Sequence, residues 1–319
     1  MSRKRRAAAR ASPVARATSL KVRVGLSASK ARITARPRCK DCTKSVSRSG
    51  KPAVATPAVT LSHEKAPLGS PVDITYKFEV AANAPAFAED YRVFVGVVDP
   101  DEELMWTDDH DPPVPTTQWK PGQKIEYTRT VFIPIYPYIG DASIHMGLYS
   151  AKTKKRLTLS GTEAGQRAYK VAKFQLLPQT ENVFTVYKEG WHGPETAQNN
   201  PSVEWQWTKK EATLGFKNPK KDSLFYLDVD NAGTPFPDGQ HVQVKLNDQV
   251  IDQFELGAGG VRVLKKIPLT TAQLADPEMV EVRVVVDRTF VPALLPASTN
   301  KDPRELGIRV FHAFIEPAK

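Results

Sequence analysis

Seven carboxylates crowd into the thirteen residues from Asp99 to Asp111: Asp99, Asp101, Glu102, Glu103, Asp108, Asp109 and Asp111, with His110 among them. Calcium takes about six to eight oxygens from a flexible loop. Asp99, Asp101, Asp108, Asp109 and Asp111 are therefore candidate ligands for one Ca2+ ion. The Asp-x-[Asp/Asn]-x-[Asp/Asn]-Gly order of an EF-hand is absent, and Trp106 and Pro112 interrupt the spacing. Two of these acids at a suitable separation would also serve a glycan-active hydrolase working from residues 99–111. Adjacency in sequence does not set that separation, and a charge run is most simply a solvated loop.

A second group is aromatic. Trp191, Trp205 and Trp207 lie within seventeen residues, and the period of two puts Trp205 and Trp207 on the same face of one strand. Exposed flat rings would stack on sugar faces, whereas buried ones would be core. Glu195, Asp302 and Arg304 supply polar groups that the fold could bring to the same place. The candidate ligand site is thus Trp191, Glu195, Trp205, Trp207, Asp302 and Arg304. Asp302 and Arg304, flanking Pro303, also read as a local ion pair at the entry to the last strand. There is no Gly-x-Ser-x-Gly elbow, His-Glu-x-x-His, phosphate loop or Gly-x-Gly-x-x-Gly, so no enzyme class is indicated. The expectation is a non-enzyme with no cofactor beyond the calcium option.

The elements that must position these groups are short strands. Val72–Val80, Tyr91–Val98, Ile125–Ile135, Ser143–Tyr149, Val203–Trp207, Glu211–Phe216, Ser223–Val229, His241–Leu246, Ile251–Leu256, Val261–Ile267, Val280–Asp287 and Ile308–Ile315 recur between Pro, Gly, Asn and Asp clusters, the pattern of sandwiches and barrels. Lys120-Pro121-Gly122-Gln123 predicts a type II turn, and Asn247-Asp248 a tight hairpin. Pro134 and Pro137 place their stretch at an edge or a bulge. Thr270–Leu274 is the one persuasive helical signal, with Thr270 able to cap it.

Charge divides the chain unevenly. Residues 1–52 hold sixteen Lys and Arg against one acid, Asp41, a net of +15; with +10 over the whole chain, the remainder carries −5. This Ala/Arg/Ser-rich arm has too few large apolar residues to fold, and Pro52–Pro57 links it to the first domain. It reads as an extension from an upstream start, a transit-like segment, or a solvated tail that could associate with nucleic acid. With the body acidic, nucleic-acid association would rest on the arm alone. No apolar run reaches the length of a Sec h-region within the arm, or of a membrane span anywhere. Cys39 and Cys42 form a lone C-x-x-C without the further ligands a zinc site usually needs.

Several short motifs carry a resemblance: Gln118–Gln123, Phe132-Ile133-Pro134, Gly147–Ser150 and Arg156-Leu157 in the first half. In the second half they are Gly190-Trp191 with Glu195, Trp205 and Trp207, Lys266–Leu269, and Asp302–Ile308. With these the chain resembles the accessory β-sandwich modules of bacterial cell-surface proteins, including those attached to polysaccharide and glycosyltransfer systems. The resemblance implies a non-catalytic binding or assembly module, periplasmic or at the cell surface, whose partner is a glycan or an envelope protein. The expected architecture is all-β: a disordered basic arm over 1–56, then two tandem immunoglobulin-like or jelly-roll-like β-sandwiches over 57–179 and 183–317.

Overall fold

Alternating apolar and polar side chains become ladders throughout the body. The computed structural model describes residues 52–135, 138–179, 185–198, 200–296 and 298–318. Strands dominate them, as the patterning predicts. The basic arm up to residue 51, with Cys39 and Cys42, and Pro137 lie outside the described residues. Among the described residues no helix is long and apolar enough to cross a membrane.

The first half is built from β1 (Ala55–Leu61), β2 (Lys65–Pro67), β3 (Pro71–Val80), β4 (Tyr91–Val98), β5 (Leu104–Thr107), β6 (Lys124–Phe132), β7 (Gly140–Ser150), β8 (Glu163–Gly165) and β9 (Ala168–Leu177). One sheet has the order β1-β3-β6 and the other β2-β9-β7-β4-β5, with β8 against β9. Their inner faces enclose a core that includes Tyr76, Phe78, Ile144, Met146 and Leu148. Full burial of side chains this large contributes about 1.5–3 kcal/mol each.

Two segments differ from their sequence reading. Pairing already begins at Ala55, which faces Val80 and is 1% exposed, so part of the expected linker is strand. The run ending at Ile135 leaves its ladder after Phe132, because Pro134 has no N–H to donate. Its strand, β6, is an edge of its sheet, where proline is tolerated. The Lys120–Gln123 turn closes through Gln123 N to Lys120 O at 3.0 Å, with Gly122 at φ +76°.

The second half contains β10 (Thr185–Tyr187), β11 (Glu195–Ala197), β12 (Asn200–Trp207), β13 (Glu211–Lys217), β14 (Ser223–Asp230), β15 (Gln240–Leu246), β16 (Gln249–Leu256), β17 (Val263–Leu269), α1 (Thr271–Leu274), β18 (Met279–Val286) and β19 (Arg309–Pro317). Its sheets run β10-β13-β18-β15-β16 and β11-β12-β19-β14-β17. Between them lies a second core including Phe216, Phe225, Leu227, Leu256 and Val284. Asn247 and Asp248 join β15 to β16 with φ +48° and +67°, as a two-residue hairpin of the primed type requires. Thr270 and Gln273 complete a capping box at α1.

The two sandwiches meet. Phe132 packs with Tyr226 and Phe314 in a third, small cluster. Beside it the Lys266 ammonium lies 2.9 and 3.0 Å from the two carboxylate oxygens of Asp73.

Candidate functional site

The outer face of the β11-β12-β19-β14-β17 sheet is where polar and aromatic groups gather. Along β14, Phe225, Leu227 and Val229 point inward to the core, so Tyr226, Asp228 and Asp230 point outward. On β19 the register slips opposite Asp228/Val229: Asp228 faces His312 while Val229 faces Val310. This bulge leaves Phe311 unpaired in the ladder. A bulge re-aims side chains, and here both Phe311 and His312 reach the outer groups.

Each outward carboxylate is answered by an arginine. Arg309 forks onto Asp230, with Nε donating to Oδ1 at 2.6 Å and Nη2 to Oδ2 at 2.7 Å. Its guanidinium lies 5.1 Å from the Trp205 ring and 5.8 Å from that of Trp207. Arg262 donates from Nε to Asp228 Oδ1 at 2.6 Å and from Nη2 to Oδ2, and lies 3.9 Å over the Phe311 ring. Burial alone would raise the Asp228 pKa; the hydrogen bonds from Arg262 and His312 outweigh it, and the net displacement is downward. His312 Nδ1 sits 3.0 Å from Asp228 Oδ2 and 3.1 Å from Arg262 Nη2. It can donate to the carboxylate or accept from the guanidinium, but not both at once. The imidazole is stacked on Phe132 at 4.0 Å.

Where this face meets the first sandwich, a cleft of about 550 Å³ opens. Trp106 and Phe132 come from one side; Trp205, Phe311, Arg262 and Glu204 from the other. Two buried polar atoms of its lining residues, Trp205 Nε1 and Thr185 Oγ1, have no hydrogen-bond partner among the described residues. Tyr187, also in the wall, has its phenol pushed up to about 12, first by burial and then by the Glu204 carboxylate.

The sequence-derived ligand set divides. Glu195, Trp207, Asp302 and Arg304 do meet: Arg304 Nη2 donates to Glu195 Oε1 at 2.7 Å and Asp302 Oδ2 at 2.6 Å, and Trp207 Nε1 reaches Glu195 Oε2 at 3.4 Å. Trp207 is 7% exposed, and this group ties the segment before β19 to β11. Trp191 is turned away. Its indole nitrogen donates to Thr213 O at 2.7 Å, and its ring packs edge-on against Tyr187 beside the second core. Of the six residues, Trp205 alone lines the cleft.

Arg304 carries a pH signature. Its side-chain hydrogen bond, followed by its backbone one, lowers Asp302 from 3.8 to about 2. A depressed carboxylate stabilises the fold above its unfolded pKa, and that contribution is lost as pH falls through its folded value. The thermal midpoint of D302N should therefore lie below that of the parent at neutral pH. The two should converge between about pH 4 and pH 2. A constant difference across that window would contradict the assignment.

The acidic segment is distributed rather than convergent. Asp99 accepts from the backbone N–H groups of Asp101 and Glu103 at 3.0 and 2.9 Å, closing its own turn. Asp109 accepts from Val95 N at 3.0 Å, and Asp111 from Arg92 Nε at 2.8 Å. Asp108 is taken by Tyr76 and Arg129. Among the described residues no group of three His, Cys, Asp or Glu is placed to hold a metal ion.

Sequence reasoning missed Arg262, Phe311, His312, Glu204 and Thr185, and named Phe132 only within a motif and not as a site residue. An Arg-x-aromatic alternation at Arg309 and Phe311 was the one available signal. The bulge that adds His312 leaves no mark in the sequence.

No protein-family profile matches the chain, and no curated protein matches it. Solved structures give partial overlaps. The Pseudomonas fluorescens alkylpurine DNA glycosylase AlkC is 14% identical, over 39% of this chain and 30% of that one, with a TM-score of 0.25. The CBM36-1 domain of a multidomain xylanase from the hindgut metagenome of Trinervitermes trinervoides is 9% identical over 43% and 98%, also at 0.25. Carbohydrate-binding modules from the β-sandwich superfamily are 12% identical over 83% and 99%, at 0.21. The chain thus spans less than a third of the glycosylase.

Proposed function

We propose that this protein is a non-catalytic glycan-binding module of a bacterial envelope, with the cleft between its sandwiches as the binding site. One observation carries the reading: an aromatic-walled cleft of about 550 Å³ whose lining also includes the polar side chains of Glu204, Gln206, Arg262 and His312. Ligand sites typically occupy about 300–1,000 Å³ with apolar walls and a few placed polar groups. A sugar ring offers both complements, C–H faces for Trp205 and Trp106 and hydroxyls for Glu204 and Gln206.

The envelope setting rests on the resemblance of the Gly190-Trp191, Lys266–Leu269 and Asp302–Ile308 motifs. Asp108, Asp109 and Asp111 each serve a protein donor of the first sandwich, and that structural use accounts for them without a hydrolase working from residues 99–111.

Retention on a panel of immobilised glycans tests the proposal. Trp205→Ala should weaken retention at least about tenfold, the scale of a buried aromatic anchor, while Trp191→Phe should leave it unchanged. Parent-like retention by the Trp205 variant would dismiss the cleft. Failure of the parent to bind any glycan would dismiss the function.

A further inference from the structure

Within the glycan reading above, the charges of the cleft narrow the ligand. Among the described residues its charged or chargeable lining consists of Glu204, Arg262 and His312, apart from the phenol of Tyr187. Arg262 is committed, with its fork on Asp228 and its plane on Phe311. His312 is held by Asp228 and stacked on Phe132. Glu204 is exposed, and its carboxylate has no hydrogen-bond or ion-pair partner among the described residues. One guanidinium therefore faces two carboxylates, Asp228 beneath it and Glu204 beside Trp205.

An anionic sugar entering this cleft would approach an uncompensated carboxylate. It would find the one guanidinium of the described wall with its charge already offset by the Asp228 carboxylate it forks onto. An uncharged sugar meets neither cost. Its hydroxyl donates to Glu204 in a charge-assisted hydrogen bond, roughly twice as strong as a neutral one. We propose that the cleft selects uncharged glycans over uronate-containing and sulfated ones, with Glu204 as the residue that discriminates.

Titration calorimetry of the whole chain is the test, with cellohexaose, xylohexaose and mannohexaose as neutral probes. Oligogalacturonate and a heparin hexasaccharide are the anionic ones. The best neutral probe should bind at least tenfold more tightly than either anion, a difference of about 1.4 kcal/mol. Glu204→Gln should shrink that ratio toward unity by admitting the anions, and raising the salt should shrink it in the parent, because screening weakens the repulsion. Anions bound as tightly as neutral probes, or a ratio unmoved by Glu204→Gln, would overturn the selection while leaving the cleft standing. A parent that binds no probe would instead remove the cleft reading on which the selection rests.

Discussion

Asp108→Ala should lower the unfolding free energy of the folded body by about 3 kcal/mol, read as a lower urea midpoint. Asp108 is the centre of a polar network inside the first sandwich. Tyr76, fully buried, donates its hydroxyl to Asp108 Oδ2 at 2.8 Å. Arg129 donates from Nε at 3.0 Å and from Nη2 at 2.9 Å. Burial, and next the Asp108 charge, push the Tyr76 phenol far above its ordinary value. His110 caps the group, its Nε2 2.8 Å from the Tyr127 hydroxyl.

Removing the carboxylate strands a buried phenol, which costs about 1–3 kcal/mol, and deletes two hydrogen bonds to a charged group. Arg129 is 41% exposed, so water takes over part of its loss and the ion pair itself adds little. Tyr76→Phe, which leaves the arginine–carboxylate pair intact, should cost only about 1 kcal/mol. Equal midpoints for the two variants would show that Asp108 is not the hub described here. The same residue was a candidate calcium ligand and a candidate catalytic acid, and its partners supply a structural reason for its presence.

Gly190→Ala should cost about 3 kcal/mol or more. Gly190 sits at φ +82°, where a side chain is strained, and an added Cβ would land on the Glu211 carbonyl oxygen and 2.7 Å from Ala212 Cα. Those are backbone atoms with no rotamer to relieve the overlap. Moving them would disturb the Lys209 N to Gly190 O bond at 2.8 Å and the seat of Trp191 beside the core. Overpacking and a disallowed backbone each cost about 1–3 kcal/mol. Gly165, at φ +114° with nothing within 4 Å of its would-be Cβ, is the control. Its alanine variant carries the backbone strain alone, and a Gly190 variant no less stable than that one would refute the steric account.

Much of the architecture was legible because it is local. Alternation along Val280–Val286 marks a strand with one buried face, and β18 has that pattern. Asn247-Asp248 and Pro121-Gly122 mark turns because few residues accept the backbone angles involved. The short helix followed from the Thr270–Leu274 run with Thr270 as its cap, and the structure adds Gln273 as the reciprocal partner. The Pro134 interruption marked an edge for the same kind of reason, a missing donor.

The candidate site was legible only in part. Trp191 and Trp205 are equally apolar and equally flat, and fourteen positions apart they read alike. One packs beside a core and the other walls a cleft because of what β13 and β19 bring to them, and β19 lies about a hundred positions from Trp205. Arg262 reaches Asp228 across 34 positions, and Phe132 reaches His312 from the other sandwich. The amino-acid order by itself determined where strands, turns and the helix fall, since each depends on side-chain alternation and backbone freedom within a few residues. Which carboxylates are neutralised, which indole stays unpaired and where a cleft opens were decided by tertiary structure alone. Those outcomes depend on strand order, on one bulge and on the meeting of two sandwiches, which are contacts between residues far apart in the chain.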